Sequence, residues 1–289
     1  MNERQLEYVV AIVEEGTFTK AAQRCSVSQP SLSASVSRLE RELGVQLFHR
    51  VGRSTTPTDA CEALLPSARD AIRAVDGARA AARGVRAGIS GRLHLAIQPT
   101  VQSIVLPVVA GYRRQHPGVT MRLVSPSEDP VTELVASGAA ELGIGDVVAD
   151  GHLVWTPLWT ERYVLVARGP VASVGRTPLD LTEVELVAPP PGSATRNVID
   201  RWFGDAGIRP RIVIEADHRE ALLPLVAVGG LATIVPASMV AGEGAPRLES
   251  AVLDPPVERR IGIARRPGPL TPAAQGFLDL VADAVQVAP

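Results

Sequence analysis

The sequence predicts a two-part fold, an all-α amino-terminal module continued by one long helix and then a larger α/β region of two lobes. Three observations carry this. Short helical stripes separated by turn signals fill the first 58 residues. One unbroken helical pattern follows, from Thr58 to about Ala87. From Arg92 onward, strand-like runs alternate with helical ones. A chain of 289 residues accommodates such an arrangement, since domains run to roughly 100–200 residues each.

In the first module, Leu6, Val9, Val10 and Val13 recur at i, i+3, i+4 and i+7, the buried face of a helix that Gly16 stops. A second short helix, about Thr19 to Arg24, carries Ala21 and Ala22, small enough for another helix to cross closely. The third helix opens at Ser28, a good N-cap, with Pro30 in its first turn, where a missing N–H breaks no helical bond. Its apolar stripe is Leu32, Val36, Leu39 and Leu43, and Gly44 ends it. The run FHRVGRSTTPT then predicts a β-ribbon turning near Val51-Gly52, flanked by Arg50 and Arg53. In the long helix, Leu64, Leu65, Ala68, Ile72, Val75 and Ala82 make a continuous stripe. About 30 residues give ~45 Å, too long to serve a three-helix core alone, so a second copy of the same helix is the expected partner.

The α/β region reads as strand (Leu93, Leu95, Ile97), helix (SIVLPVVAGYRRQ), strand (VTMRLV), helix (DPVTELVASG) and strand (ELGIG). RYVLVA, ELVAPP, RIVIEA, LATIVP and RRIGIA are further strands; SATRNVIDRWFGDAG, REALLPLVAVGG and the segment from Thr271-Pro272 are helices. Two rounds of alternation imply mostly parallel sheets with helical cover.

Net charge is −2, so any nucleic-acid binding must use a local patch. One exists: from Thr17 to Thr58 six basic residues face two acidic ones, a balance of +4. The basic residues of the chain are 28 Arg and a single Lys, Lys20. Two cysteines, Cys25 and Cys61, give neither metal spacing nor a disulfide framework and read as small buried thiols. His152 and His218 read as surface or structural residues. No signal-like segment or apolar run of membrane length stands out, so a cytoplasmic address and no membrane partner are expected.

A helix, a tight turn and a second helix that begins in uncharged hydrogen-bonding residues is how a helix-turn-helix presents itself. Such a helix enters the major groove by its amino-terminal end, where base edges are arrays of donors and acceptors. Gln29 pairs naturally with adenine, and Ser31 or Ser33 with either kind of group; Lys20, Arg24, Arg38, Arg41, Arg50 and Arg53 supply phosphate contacts at the margins. The plainer alternative is a small helical core with a serine-rich exposed face.

The residues that sharpen the choice are Ala21-Ala22, Ser28-Gln29-Pro30, Leu32-Ser33, Leu39-Glu40, Glu42-Leu43-Gly44, Leu47-Phe48, Arg50 and TPTDACEALLPSAR. This set, over about the first 85 residues, resembles the winged helix-turn-helix and linker helix of LysR-type transcriptional regulators. The resemblance implies a DNA-binding domain over 1–58, a linker and dimerisation helix over 59–90, and an effector-binding domain over 91–289 similar to periplasmic binding proteins. Its lobes would be about 91–165 with 266–289, and about 166–265. Base contacts would fall on Gln29, Pro30, Ser31, Ser33 and Ala34; wing and phosphate contacts would add Ser54 and Thr55. Many members carry Arg where this chain has Ala34, which offers only an apolar contact such as a thymine methyl. Peroxide-sensing members keep reactive cysteines in the effector domain, where this chain has none. The partners implied are an interrupted inverted repeat of double-stranded DNA, a small effector, and further copies of the chain as a homodimer or homotetramer.

Ligands of open α/β lobes sit where strand ends meet helix starts. That rule selects Thr100, Gln102 and Ser103 in QPTVQS, Ser125 in SPSED, and Ser193, Thr195 and Arg196 in PPPGSATR. The resemblance places an effector hydroxyl at or near Thr100. Helix starts favour an anion, so a carboxylate is the expected effector class. Capping is the structural alternative for the hydroxyls, and a helix-surface salt bridge for Arg196. The α/β half alone would also suit a solute-binding protein, which the basic amino-terminal module opposes. An enzyme is not expected: G-x-S-x-G, Walker and H-E-x-x-H patterns are missing, and GIGD at Gly143 lacks the third glycine of a dinucleotide fingerprint. No cofactor or metal site is expected.

Overall fold

The computed structural model describes residues 1–51, 54–84, 89–125, 131–147, 151–169, 175–240 and 248–285. In chain order the amino-terminal elements are α1 (Glu3–Glu15), α2 (Phe18–Arg24), α3 (Gln29–Leu43), the hairpin β1 (Phe48–Val51) and β2 (Ser54–Pro57), and α4 (Asp59–Gly84). Then come β3 (Ser90–Ile97), α5 (Gln102–Gln115), β4 (Gly118–Val124), α6 (Val131–Ala136), β5 (Leu142–Asp146) and β6 (Val154–Arg168). The chain continues through β7 (Glu185–Ala188), α7 (Ala194–Gly204), β8 (Arg211–Glu215), α8 (Leu222–Gly229), β9 (Ala232–Pro236), β10 (Leu248–Val252), β11 (Glu258–Arg265) and α9 (Pro272–Val285). No described helix is long and apolar enough to cross a membrane.

These elements form two compact units. The first holds Met1–Gln98, Val108–Thr156 and the chain from Ile263 through α9; the second holds Pro99–Pro107 and Pro157–Gly262. The lines fall elsewhere than the lobes expected from sequence, because β6 and β11 each run from one unit into the other and Pro99–Pro107 clusters with the second.

In the first unit, Asn2 and Gln5 close a reciprocal capping box on α1, and Gly16 ends it in the left-handed region at φ 68°. Leu6, Val9, Val10, Ile12, Ala21, Ala22, Leu32, Val36 and Leu39 interlock as one core, with Cys61, Leu65 and Ala68 of α4 on its flank. Leu64 and Ile72 pack against it too, so the first half of the long helix is covered by its own chain. The α/β part of this unit orders its strands β4-β3-β5-β11, with β3 parallel to both neighbours. Leu93, Leu95, Ala96 and Ile97 are all buried, as a parallel strand covered on both faces requires. Tyr112 of α5 meets Phe277 of α9 edge-on at 5.3 Å and donates to the Ala273 carbonyl at 2.7 Å.

The second unit orders its strands β11-β6-β9-β7-β8, with β10 antiparallel on β6. Ile199, Trp202 and Phe203 of α7 fill one core against Leu165, Leu186 and Ile234. Val164, Val166, Val187 and Val235 face a second core under Leu222 and Val226 of α8. β10, unread in the sequence, has exposed Glu249 and Ser250 at its centre and so shows no alternation; pairing with β6 makes it a strand.

Candidate nucleic-acid interface and effector corner

The start of α3 is built to leave its side chains available. Ser28 sits at the N-cap in extended geometry and its Oγ accepts the Ser31 N–H at 3.3 Å. The turn before it passes through Ser26 at φ 56°, a left-handed conformation that bends the chain sharply between α2 and α3. With Leu32, Val36 and Leu39 fully buried behind, Gln29, Pro30, Ser31 and Ala34 face outward and exposed, and Ser33 is half-buried. The hairpin is held in place by Glu40, to which the sequence reading gave no structural role: buried, it accepts the Leu47 N–H at 2.9 Å. Thr55 donates its N–H to the Gly16 carbonyl at 3.1 Å, tying β2 to the end of α1.

Around this tip, Lys20, Arg38 and Arg41 are exposed. Arg24 is engaged otherwise. Its Nη1 lies 2.7 Å from Glu14 and 3.3 Å from Glu15, so the cation expected on phosphate is paired within its own chain. Glu14 also meets Arg69 at 3.5 Å and Arg122 at 3.8 Å. Burial pushes the Glu14 carboxyl up, but these three guanidiniums outweigh it and hold the group below its ordinary value. Arg50 lies in β1 and Ser54 in β2, paired with Thr55 and Val51 respectively; Arg53 lies outside the described residues.

In the second unit Thr100 lies in a 3₁₀ turn, Pro99–Val101, immediately before α5, of which Gln102 and Ser103 form the first turn. Thr100 is part of a closed ring of polar contacts. Arg259 Nη1 donates to Thr100 Oγ1 at 2.9 Å, while its Nε and Nη2 donate to Glu161 Oε1 at 2.9 and 2.5 Å. Glu161 Oε2 accepts the Ser238 N–H at 3.0 Å, and Ser238 Oγ donates back to the Thr100 carbonyl at 3.2 Å. Ser103 Oγ donates to the Ser238 carbonyl at 3.3 Å. The Arg259 and Glu161 side chains are only 6% and 8% exposed, and Arg259 lies over the Tyr163 ring. Sequence reading selected Thr100 and Ser103 but not Arg259, Glu161 or Ser238, which share their polar contacts.

Ser193, Thr195 and Arg196 make other contacts within the second unit. Ser193 caps α7, accepting the Arg196 N–H at 3.3 Å, and Thr195 is buried. Arg196 meets Asp200 at 2.9 Å and Glu215 at 2.7 Å and donates to the Pro189 carbonyl at 3.1 Å. Its guanidinium is therefore in the salt bridge weighed as the alternative. Ser125 is exposed at the end of β4, and Pro126–Pro130 lies outside the described residues. His152 and His218 are exposed.

Residues 3–62 match the family described as bacterial regulatory helix-turn-helix protein, lysR family, and residues 86–286 match the LysR substrate binding domain. The chain belongs to the LysR family. It is a DNA-binding transcriptional regulator with an effector-binding domain. The regulator IlvR of Caulobacter vibrioides is 32% identical over 98% of this chain and 98% of its own. The dual regulator OxyR of Escherichia coli is 31% identical over 93% and 90%. Among solved structures, CbnR, a LysR family transcriptional regulator, aligns over 99% of both chains at 28% identity with a TM-score of 0.64. Full-length CbnR has also been solved with its target DNA; that chain aligns with a TM-score of 0.62 at 28% identity over 98% of this chain and 100% of its own.

Several relatives are hydrogen peroxide-inducible activators, such as that of Haemophilus influenzae, 28% identical over 99% of this chain and 98% of its own. In this LysR regulator both cysteines precede the effector domain. Burial pushes the Cys61 thiol up to about 11, with Glu62 and Glu40 adding to it, and burial raises Cys25 as well. Neither thiol has the lowered pKa that marks a reactive cysteine.

Proposed function

We propose that this regulator reads an interrupted inverted repeat through Gln29, Pro30, Ser31, Ser33 and Ala34, with Lys20, Arg38, Arg50 and Arg53 on the phosphates. The observation that carries this reading is the outward, uncharged tip of α3, capped from within by Ser28 and backed by a fully buried stripe. Arg24 and Arg196 drop out of the binding set because carboxylates already hold them. Pairing of two chains runs through α4. Ser67, Ala71 and Ala78 lie exposed along one face of that helix, small enough for a second helix to approach closely. The LysR chain acts in the cytoplasm, where the chromosome is.

The effector is a small organic anion held at Thr100. What supports an anion is the Arg259 guanidinium on the Thr100 hydroxyl; Glu161 is its internal competitor. Footprinting on DNA upstream of the gene, with and without a panel of small carboxylates, tests both halves. The expected result is a protected inverted repeat whose boundary shifts with one carboxylate in the wild type and not in Thr100→Val. Absence of protection defeats the DNA reading, and an unchanged shift in the variant defeats the effector site.

A further inference from the structure

A polar cavity lies in the first unit, a groove of about 360 Å³ between one face of α4 and the loop that leads into α9. That volume is within the ~300–1,000 Å³ typical of small-molecule sites. Asp70, Arg73, Ala74 and Gly77 line it from the helix, and Glu141 with Arg266 and Leu270 from the other side.

Its hydrogen bonds are unevenly matched. Arg73 and Arg266 share one carboxylate, Asp70, whose side chain is 55% exposed, whereas the two arginine side chains are only 15% and 18% exposed. Their remaining contacts are backbone carbonyls: Arg73 Nη1 donates to Gly138 at 2.7 Å and Arg266 Nη1 to Pro66 at 3.4 Å. The cradle is shaped for this. Gly138 holds φ 71°, and a Cβ there would lie 2.5 Å from Arg266 Nη1, so glycine is what lets that guanidinium settle. Glu141 brings the lining to two cations and two carboxylates, but Asp70 is the only carboxylate among the described residues that either guanidinium hydrogen-bonds, and its exposure leaves donors for a second one.

Glu141 asks for a donor. Glu141 is 8% exposed; its Oε1 accepts the Thr271 N–H at 3.1 Å, and its Oε2 is buried with no hydrogen-bond partner. A buried acceptor left unmatched is costly, and a charged one more so. Ala74, Leu270 and the prolines at 267, 269 and 272 give the groove an apolar lining between the two demands.

We propose that this groove is a second ligand site that takes a small apolar α-amino acid, its carboxylate on Arg73 and Arg266 and its ammonium on Glu141 Oε2. The site is independent of the effector reading at Thr100. It lies on the helix that leaves the DNA-binding module, so occupancy fastens α4 to the 266–272 loop.

Titration calorimetry on the full chain with L-leucine, isocaproate (the carboxylate alone) and isoamylamine (the ammonium alone) tests it. L-Leucine binds, and each half-ligand binds at least about tenfold more weakly, the loss expected for one charge-assisted contact. Arg266→Gln and Glu141→Gln each weaken L-leucine by at least about tenfold. Asp70→Asn, an exposed change that spares the fold, strengthens it by releasing both guanidiniums. Thr100→Val leaves it unchanged. No L-leucine binding, as when a water alone satisfies Glu141, overturns the proposal. So does isocaproate binding as tightly as L-leucine, or weakening by Thr100→Val in place of the groove variants.

Discussion

The tip of α3 and the ring around Thr100 are both polar, yet they are satisfied in opposite ways. At the tip, the cap and the buried stripe meet the helix's own needs, and Gln29, Ser31 and Ala34 are left exposed. Around Thr100, the hydroxyl, a guanidinium and a carboxylate bind one another almost out of water. The difference teaches where each site's strength lies. A surface that reads DNA takes its interactions from the DNA, so its free side chains cost the fold little. A buried ion pair is costly to expose by halves, so the effector site proposed at Thr100 draws on the same atoms that stabilise the second unit.

The largest expected effect follows from that contrast. Arg259→Ala strands the Glu161 carboxylate in the interior and should cost about 3–5 kcal/mol, measured by urea unfolding. Gln29→Ala, by the same measurement, should stay within about 0.5 kcal/mol of wild type. Comparable losses in the two variants would erase the distinction.

The same contrast explains what the sequence made legible. The helix-turn-helix declares itself locally: Ser28, Leu32, Val36, Leu39 and Gly44 fall within 17 residues, and cap, stripe and stop all follow helical spacing. The alternating strands and helices were legible for the same reason. Thr100 and Ser103 were selected because strand ends and helix starts are local signals as well. Arg259 and Glu161 lie 98 positions apart on different strands, and no periodicity links them. Arg24 shows the converse. Its position suited phosphate, but Glu14 faces it from α1 and Arg69 and Arg122 share the same carboxylate, a meeting that only the fold creates.

A smaller effect sharpens the comparison at that junction. The Glu14 carboxyl is held below its ordinary value of 4.5, so its contribution is complete above that pH and disappears as pH falls through the lower folded value. The stability difference between wild type and Glu14→Gln should be about 1 kcal/mol or less at neutral pH, as for partly exposed pairs, and vanish in acid. A difference that grows on acidification would contradict the sign.

The most direct measurement is binding of Gln29→Ala and Arg38→Ala to a selected operator and to random DNA across a salt series. Gln29→Ala should lose affinity for the operator by about 1–3 kcal/mol while keeping its salt slope and its affinity for random DNA. Arg38→Ala should weaken both DNAs alike and reduce the slope by about one. Equal losses on both DNAs for both variants would contradict the claim that the uncharged tip of α3 reads bases while cations outside it hold the backbone.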